Sequence, residues 1–163
     1  MAQSVSLTLC VNNKQQVVDV PADATLLTVL RDKLRVLSPK RGCNQGVCGS
    51  CTVKIDGVSK RACLTLAAMC DDKTVDTVEG FVDDQIMLAL QQNFRTSGAV
   101  QCGFCTAGML VSAHALLTQN LNPSVEEIQQ ALSGNICRCT GYRKIIDGVM
   151  ATAKDIASSR ESS

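Results

Sequence analysis

Tryptophan is absent from this chain of 163 residues, and other aromatic side chains are few: Phe81, Phe94, Phe104 and Tyr142. Base stacking and sugar binding rely on aromatic platforms, and four scattered rings do not build one. An excess of either charge is also missing, with 16 Lys+Arg against 15 Asp+Glu. That balance excludes the basic stripe of a nucleic-acid-binding domain. No apolar run approaches the roughly 20 residues of a membrane span. Residues Met1 to Val5 carry no basic n-region, and the residues after them alternate instead of forming an apolar h-region. No secretory leader and no membrane are therefore expected, and the expected location is the cytoplasm.

Ten cysteines stand against these absences. In a short secreted chain they would read as a disulfide framework; in a reducing compartment, clustered thiols bind metal or do redox chemistry. Histidine occurs once, at position 114. A Rieske centre needs two histidine ligands, so that chemistry is excluded. His114 itself reads as a packed or solvated helix residue.

Periodicity divides the chain. Val5, Leu7, Leu9 and Val11 alternate with polar residues as in a half-buried strand. Asn12-Asn13 predicts a hairpin turn, with Val18 to Val20 returning and Pro21 ending the strand. Leu26, Leu27, Leu30 and Leu34 recur at helical spacing. A Gly- and Cys-rich loop runs from Ser38 to Cys51. Thr52 to Ile55 and Val58 to Ala62 form a second hairpin about Asp56-Gly57, and Thr74 to Val78 is a last strand. Beyond Glu79-Gly80 the pattern becomes helical. One helix carries Ile86, Leu90 and Phe94; a second begins near Cys105 and carries Met109, Leu110, Ala113 and Leu117. A third opens with the capping box Ser124 to Glu127 and stops at Gly134. A fourth follows Cys139 with Tyr142, Ile145, Ile146 and Val149, and residues 158–163 are expected to fray. The expected division is residues 1–78, β-rich, and residues 79–163, all-helical.

Eight cysteines fall into two sets. Cys43, Cys48 and Cys51 stand as C-x4-C-x2-C with Cys63 following, which is the plant-type 2Fe–2S ferredoxin spacing. Gly42, Gly46 and Gly49 let the loop turn its amide N–H groups toward sulfur. Zinc favours two short knuckles instead. Cys102, Cys105, Cys137 and Cys139 form C-x2-C and C-x-C, each pair near a helix start, where free N–H groups and partial positive charge favour thiolate. Spacing alone leaves this second set open between zinc and iron–sulfur. Cys10 and Cys70 belong to neither set and read as small buried hydrophobes.

Taken together and in this order, GCNQGVCGSCTV (Gly42 to Val53), QCGFCTAGM (Gln101 to Met109) and GNICRCTGY (Gly134 to Tyr142) resemble the iron–sulfur subunits of the xanthine oxidase family of molybdenum hydroxylases. That family includes aerobic carbon monoxide dehydrogenases, aldehyde oxidoreductases and dehydrogenases of N-heteroaromatic compounds. The likeness extends over roughly residues 4 to 156. It implies an α+β fold: an N-terminal plant-type ferredoxin-like (β-grasp) domain, then an all-α four-helix domain. It implies a distal 2Fe–2S cluster on Cys43, Cys48, Cys51 and Cys63, and a proximal one on Cys102, Cys105, Cys137 and Cys139. Gln101 and Cys139 match residues that approach the pterin of the molybdenum cofactor.

The implied partners are a large molybdopterin-binding subunit and a medium FAD-binding subunit, in a heterotrimer or a dimer of heterotrimers. Electrons would pass from molybdenum through the proximal and distal clusters to FAD, with no substrate chemistry and no catalytic residue on this chain. Ala107 departs from the proline many relatives carry there; proline is favoured in a first helical turn but not required. Lys40, Arg41, Arg138 and Arg143 are candidate cations for raising cluster potentials, or else surface charges. Two other readings are a free-standing two-cluster ferredoxin and a zinc-stabilised interaction module. Near-neutrality disfavours a diffusing carrier steered by charge.

Overall fold

The computed structural model describes residues 3–161. Five strands make one mixed sheet: β1 (Ser4–Val11), β2 (Lys14–Pro21), β3 (Thr52–Ile55), β4 (Val58–Arg61) and β5 (Thr74–Asp76), in the order β2-β1-β5-β3-β4. β1 and β5 run parallel; the other neighbours are antiparallel. Both hairpin turns are built as their residues require. Asn12, Asn13, Asp56 and Gly57 all have positive φ, the backbone of tight turns that match the twist of the strands. The first hairpin is longer than expected, because β2 starts already at Lys14 and pairs with the whole of β1.

One helix lies on the sheet. It begins as α1 (Leu26–Thr28), capped by Thr25 Oγ1 accepting from Thr28 N at 3.3 Å, and continues as a π-helical turn over Val29–Lys33. Leu26, Leu27 and Leu30 pack with Leu7, Leu9, Val11, Val20, Val53 and Val75 into a first core. Four further helices follow: α2 (Gln85–Thr96), α3 (Thr106–Gln119), α4 (Val125–Leu132) and α5 (Arg143–Glu161). Their inward side chains, among them Met87, Leu90, Phe94, Met109, Leu117, Ile128, Ile145 and Val149, form a second core. No helix among the described residues is long and apolar enough to cross a membrane.

Several local expectations change. Met87, not Ile86, is the fully buried residue of the first turn of α2. The capping box of α4 is complete, with Ser124 Oγ accepting from Glu127 N and Glu127 Oε2 accepting from Ser124 N. Gly134 does not end that helix. Ser133 closes it in right-handed geometry, and Gly134 serves a close approach described below. Tyr142 lies outside α5, at φ +67. Residues 158–161 continue α5, with Ser158 and Ser159 hydroxyls bonded to Lys154 and Asp155 carbonyls. Residues 162 and 163 of the expected frayed tail lie outside the described residues.

The seam between sheet and helices is polar. All four residues of β3 are buried, because Val53 and Ile55 face the first core while α3 lies across Thr52 and Lys54. Lys54 Nζ donates to His114 Nδ1 at 2.7 Å and sits 5.5 Å from the Phe81 ring centre. His114 Nε2 lies 3.0 Å from Asp84 Oδ1, without hydrogen-bond alignment, and Asp84 also caps α2 by accepting from Met87 N. Burial, then the Lys54 ammonium, holds the His114 pKa below its usual 6.5, against the pull of Asp84 and Asp76.

The unfolded chain therefore takes up a proton that the folded chain refuses. That contribution to stability is full above 6.5 and is lost as pH falls from there toward the folded value. Asp84, lowered despite its burial, adds loss in the same direction at more acid pH; Asp76, raised by burial, opposes it. We expect the melting temperature to fall between about pH 7 and about pH 5, and the fall to be smaller in His114→Gln, which keeps an acceptor for Lys54. Parallel melting curves for both proteins would remove His114 from this account.

Candidate metal centres

The first cysteine set sits where the sheet meets its longest loop. Cys43 and Cys48 lie in the loop and are part-exposed; Cys51 leads into β3, and Cys63 follows β4; both are buried. The second set has the same division. Cys105 caps α3 and, with Cys137, is buried; Cys102 and Cys139 are exposed. Each set thus offers two inner and two outer thiols. All eight are free. Within each set the thiols approach in pairs, as Cys139 Sγ does Cys102 Sγ at 3.6 Å.

Hydrogen bonds treat inner and outer thiols differently. The amides of Cys48 and Gln45 both donate to Cys43 Sγ at 3.4 Å and hold its pKa down, to about 6. The Phe104 amide, then the Cys139 thiol, lowers Cys102; donating to Cys102 raises Cys139. Burial pushes Cys51 up to about 11 and Cys105 up to about 12. Burial acts on Cys137 too, but Thr140 Oγ1, donating at 3.0 Å, and two amides outweigh it and bring its pKa down. Thiols of this kind are inert as buried thiols and become thiolates when a cation takes the place of their protons. Tetrathiolate sets with amide N–H donors on sulfur fit 2Fe–2S clusters.

The two sets are neighbours. Gly42, Cys43, Cys48, Cys102, Phe104, Cys105, Ile136 and Arg138 line one cleft of about 270 Å³. Backbone contact holds them together. The Gly49 carbonyl accepts from Thr52 N, from Thr52 Oγ1 and from Asn135 Nδ2. Ile136 N donates to the Cys48 carbonyl at 2.8 Å. A Cβ on Gly108 would stand 2.3 Å from the Gly49 carbonyl, and one on Gly49 would stand 2.3 Å from the Gly134 carbonyl, where φ is also +70. Both positions require glycine. Asn135 Oδ1 accepts from Ser112 Oγ, which completes that side chain's bonding inside the seam.

Tyr142 straps the second set. Its hydroxyl accepts from Cys137 N at 3.0 Å and donates to the Asn135 carbonyl at 3.3 Å. Arg61, Thr52, Ser112, Asn135 and Tyr142 were not singled out for the site by sequence reasoning. The one accessible signal was Tyr142, the chain's only tyrosine, three residues after Cys139. Gln101 is exposed beside Cys102. Of the four expected cations, only Arg138 lines the cleft. Arg41 pairs with Asp32 and Arg143 with Asp147, both at 3.2 Å and at the surface, while Lys40 donates to the Leu37 carbonyl.

These features define a protein that holds two 2Fe–2S clusters, and comparison with known proteins agrees. Residues 10–97 match the model of a 2Fe-2S iron-sulfur cluster binding domain, and residues 77–150 match that of a [2Fe-2S] binding domain. The chain is 46% identical over 146 residues to the nicotine 6-hydroxylase small subunit of Paenarthrobacter nicotinovorans, covering 90% of this chain and 88% of that one. It is 42% identical over 155 residues to xanthine dehydrogenase/oxidase of Mus musculus, covering 88% of this chain and 12% of that one. The solved quinoline 2-oxidoreductase of Pseudomonas putida 86 superposes with TM-score 0.89 at 43% identity, over 96% of this chain and 98% of that one. The chain belongs to the iron–sulfur small subunits of the xanthine oxidase family of molybdenum hydroxylases.

The glycine contacts generate a graded prediction. Gly108→Ala, blocked by backbone, should lower stability by about 1–3 kcal/mol and loosen cluster retention. Gly103→Ala meets no atom within 4 Å and suffers only its positive φ, costing about 1–2 kcal/mol with both clusters retained. Denaturant unfolding with iron analysis ranks the two, and equal iron loss in both variants would contradict the contact argument.

Proposed function

We propose that this chain is the electron-transfer subunit of a molybdenum hydroxylase, carrying electrons from a molybdopterin site on a large partner to FAD on a medium partner. The observation that carries the reading is the pair of cysteine sets side by side, each with two thiols turned outward. Cys102, Cys105, Cys137 and Cys139 hold the cluster that receives electrons; Cys43, Cys48, Cys51 and Cys63 hold the one that passes them on. A 2Fe–2S cluster takes up and releases one electron at a time, so two in sequence split a two-electron oxidation into single steps.

The protein's part is positional and electrostatic. Amide N–H groups at Cys43 and Cys102 and the Thr140 hydroxyl at Cys137 stabilise negative charge on sulfur. The seam around Asn135 fixes one cysteine loop against the other. Gln101 and Cys139, both exposed, are the residues that meet the pterin. The division we favour is a plant-type ferredoxin-like β-grasp domain over residues 1–78 and a four-helix domain over residues 79–163, supported by two separate apolar cores.

Large apolar side chains stand exposed beside both sets: Val47 and Leu64 near the first, Val100, Phe104 and Ile136 near the second. A diffusing carrier gains nothing from such a rim, whereas a permanent subunit buries it against its partners. The assembly is accordingly a heterotrimer or a dimer of heterotrimers, held in a reducing compartment such as the cytoplasm, where free thiols persist.

Purification of the tagged chain from its host, with molybdenum and flavin assayed on the same sample, tests the assembly. Both should accompany it together with a large and a medium chain; a brown, redox-active chain eluting alone would make it a free-standing ferredoxin. Cys102→Ser should lower iron from about four to about two per chain and remove one of two paramagnetic resonance signals. Turnover with the natural acceptor should stop while the molybdenum content stays; unchanged turnover would overturn the order of the relay.

A further inference from the structure

Arg61 ends β4 two residues before Cys63 and is half-buried in the seam. Its Nη1 donates to Thr52 Oγ1 at 2.6 Å, and its Nη2 donates to the Gly134 carbonyl at 2.6 Å. Thr52 directly follows Cys51, and its hydroxyl donates a hydrogen bond to the Gly49 carbonyl at 2.6 Å, beside Cys48. Gly134 stands three residues before Cys137. One guanidinium is thereby bonded into the loop that carries three thiols of the first set and into the segment that carries two of the second. Gly134 leaves room for it: a Cβ there would stand 2.3 Å from Nη2.

The charge matters as well as the fork. A guanidinium does not lose its proton in a protein, so this cation is permanent. Reduction of a tetrathiolate 2Fe–2S cluster adds one negative charge to an already anionic group. A fixed cation half-withdrawn from water favours that reduced state more than a fully exposed one does. Arg41 and Arg143 are paired with exposed carboxylates, and Lys40, half-buried, donates to the Leu37 carbonyl away from the cleft between the sets. Arg61 has no carboxylate partner among the described residues; its acceptors are a hydroxyl and a carbonyl.

We propose that Arg61 is a positioning residue shared by both clusters: its fork fixes the separation of the two cysteine loops, and its charge raises both reduction potentials. This rests on the two-cluster relay above. The test uses the holo complex with the full chain, as wild type, Arg61→Gln and Arg61→Lys, with iron analysis and redox titration followed by paramagnetic resonance.

Arg61→Gln should shift both potentials to more negative values and change the spin–spin broadening between the two reduced clusters. Arg61→Lys keeps the charge without the fork, so it should restore the potentials but not the broadening. Full iron with unmoved potentials in Arg61→Gln overturns the proposal. If that variant loses iron, Arg61→Lys decides: potentials near wild type with altered broadening uphold the proposal, and an unaltered broadening overturns it. A wild type without two 2Fe–2S signals would instead overturn the relay itself, so the two failures are distinguishable.

Discussion

The Gly49 carbonyl is the point on which the arrangement depends. It belongs to the first cysteine loop, yet it is approached by Gly108 of α3 and bonded by Asn135, which precedes the second cysteine pair. Backbone touching backbone leaves no side chain to adjust, so the separation of the two loops is set by van der Waals contact and hydrogen-bond length, with little play. Electron transfer between bound clusters is a matter of distance, and this distance is built from the stiffest material a protein has. The seam around it is polar because two loops rich in turns carry carbonyls that neither sheet nor helix satisfies. Thr52, Arg61 and Asn135 supply the donors, and Ser112 holds Asn135 in place by donating to its Oδ1.

Burial and charge are divided in the same spirit. The inner thiols, Cys51 and Cys105, resist ionisation when left alone, and the outer Cys43 and Cys102 are eased toward it by amides. Iron binding reconciles the two, since a cation compensates the buried negative charge and drives the protons off. The exposed side of each set remains open to a neighbouring chain.

Much of this was legible in the sequence. Period-2 alternation in Val5 to Val11, the turn pairs Asn12-Asn13 and Asp56-Gly57, and the capping box at Ser124 are local signals, and each lies where the residues direct. The plant-type spacing of the first cysteine set is a local signal too, whereas spacing alone left the second set open between zinc and iron–sulfur. What escaped is long-range. Nothing in the local pattern marks Lys54 as buried, yet it is, because α3 covers the second face of β3; its partner His114 lies 60 residues away. Arg61 carries no motif at all, and its role depends on a glycine 73 residues further on. Tyr142 has helical company in sequence but takes a positive φ to reach Cys137 N. Gly134 resembled a helix stop and is instead a vacancy sized for a guanidinium.

The bond from Asn135 to the Gly49 carbonyl spans 86 residues of chain. A ribosome adds residues in order, at about 5–20 per second. The N-terminal loop, although its three cysteines are made early, therefore waits for the last quarter of the chain before its walls are in place. Maturation runs against the direction of synthesis: the cofactor site written first is the one finished late. The first cysteine loop therefore has its full set of wall contacts only in a chain that extends through Asn135 and Ile136.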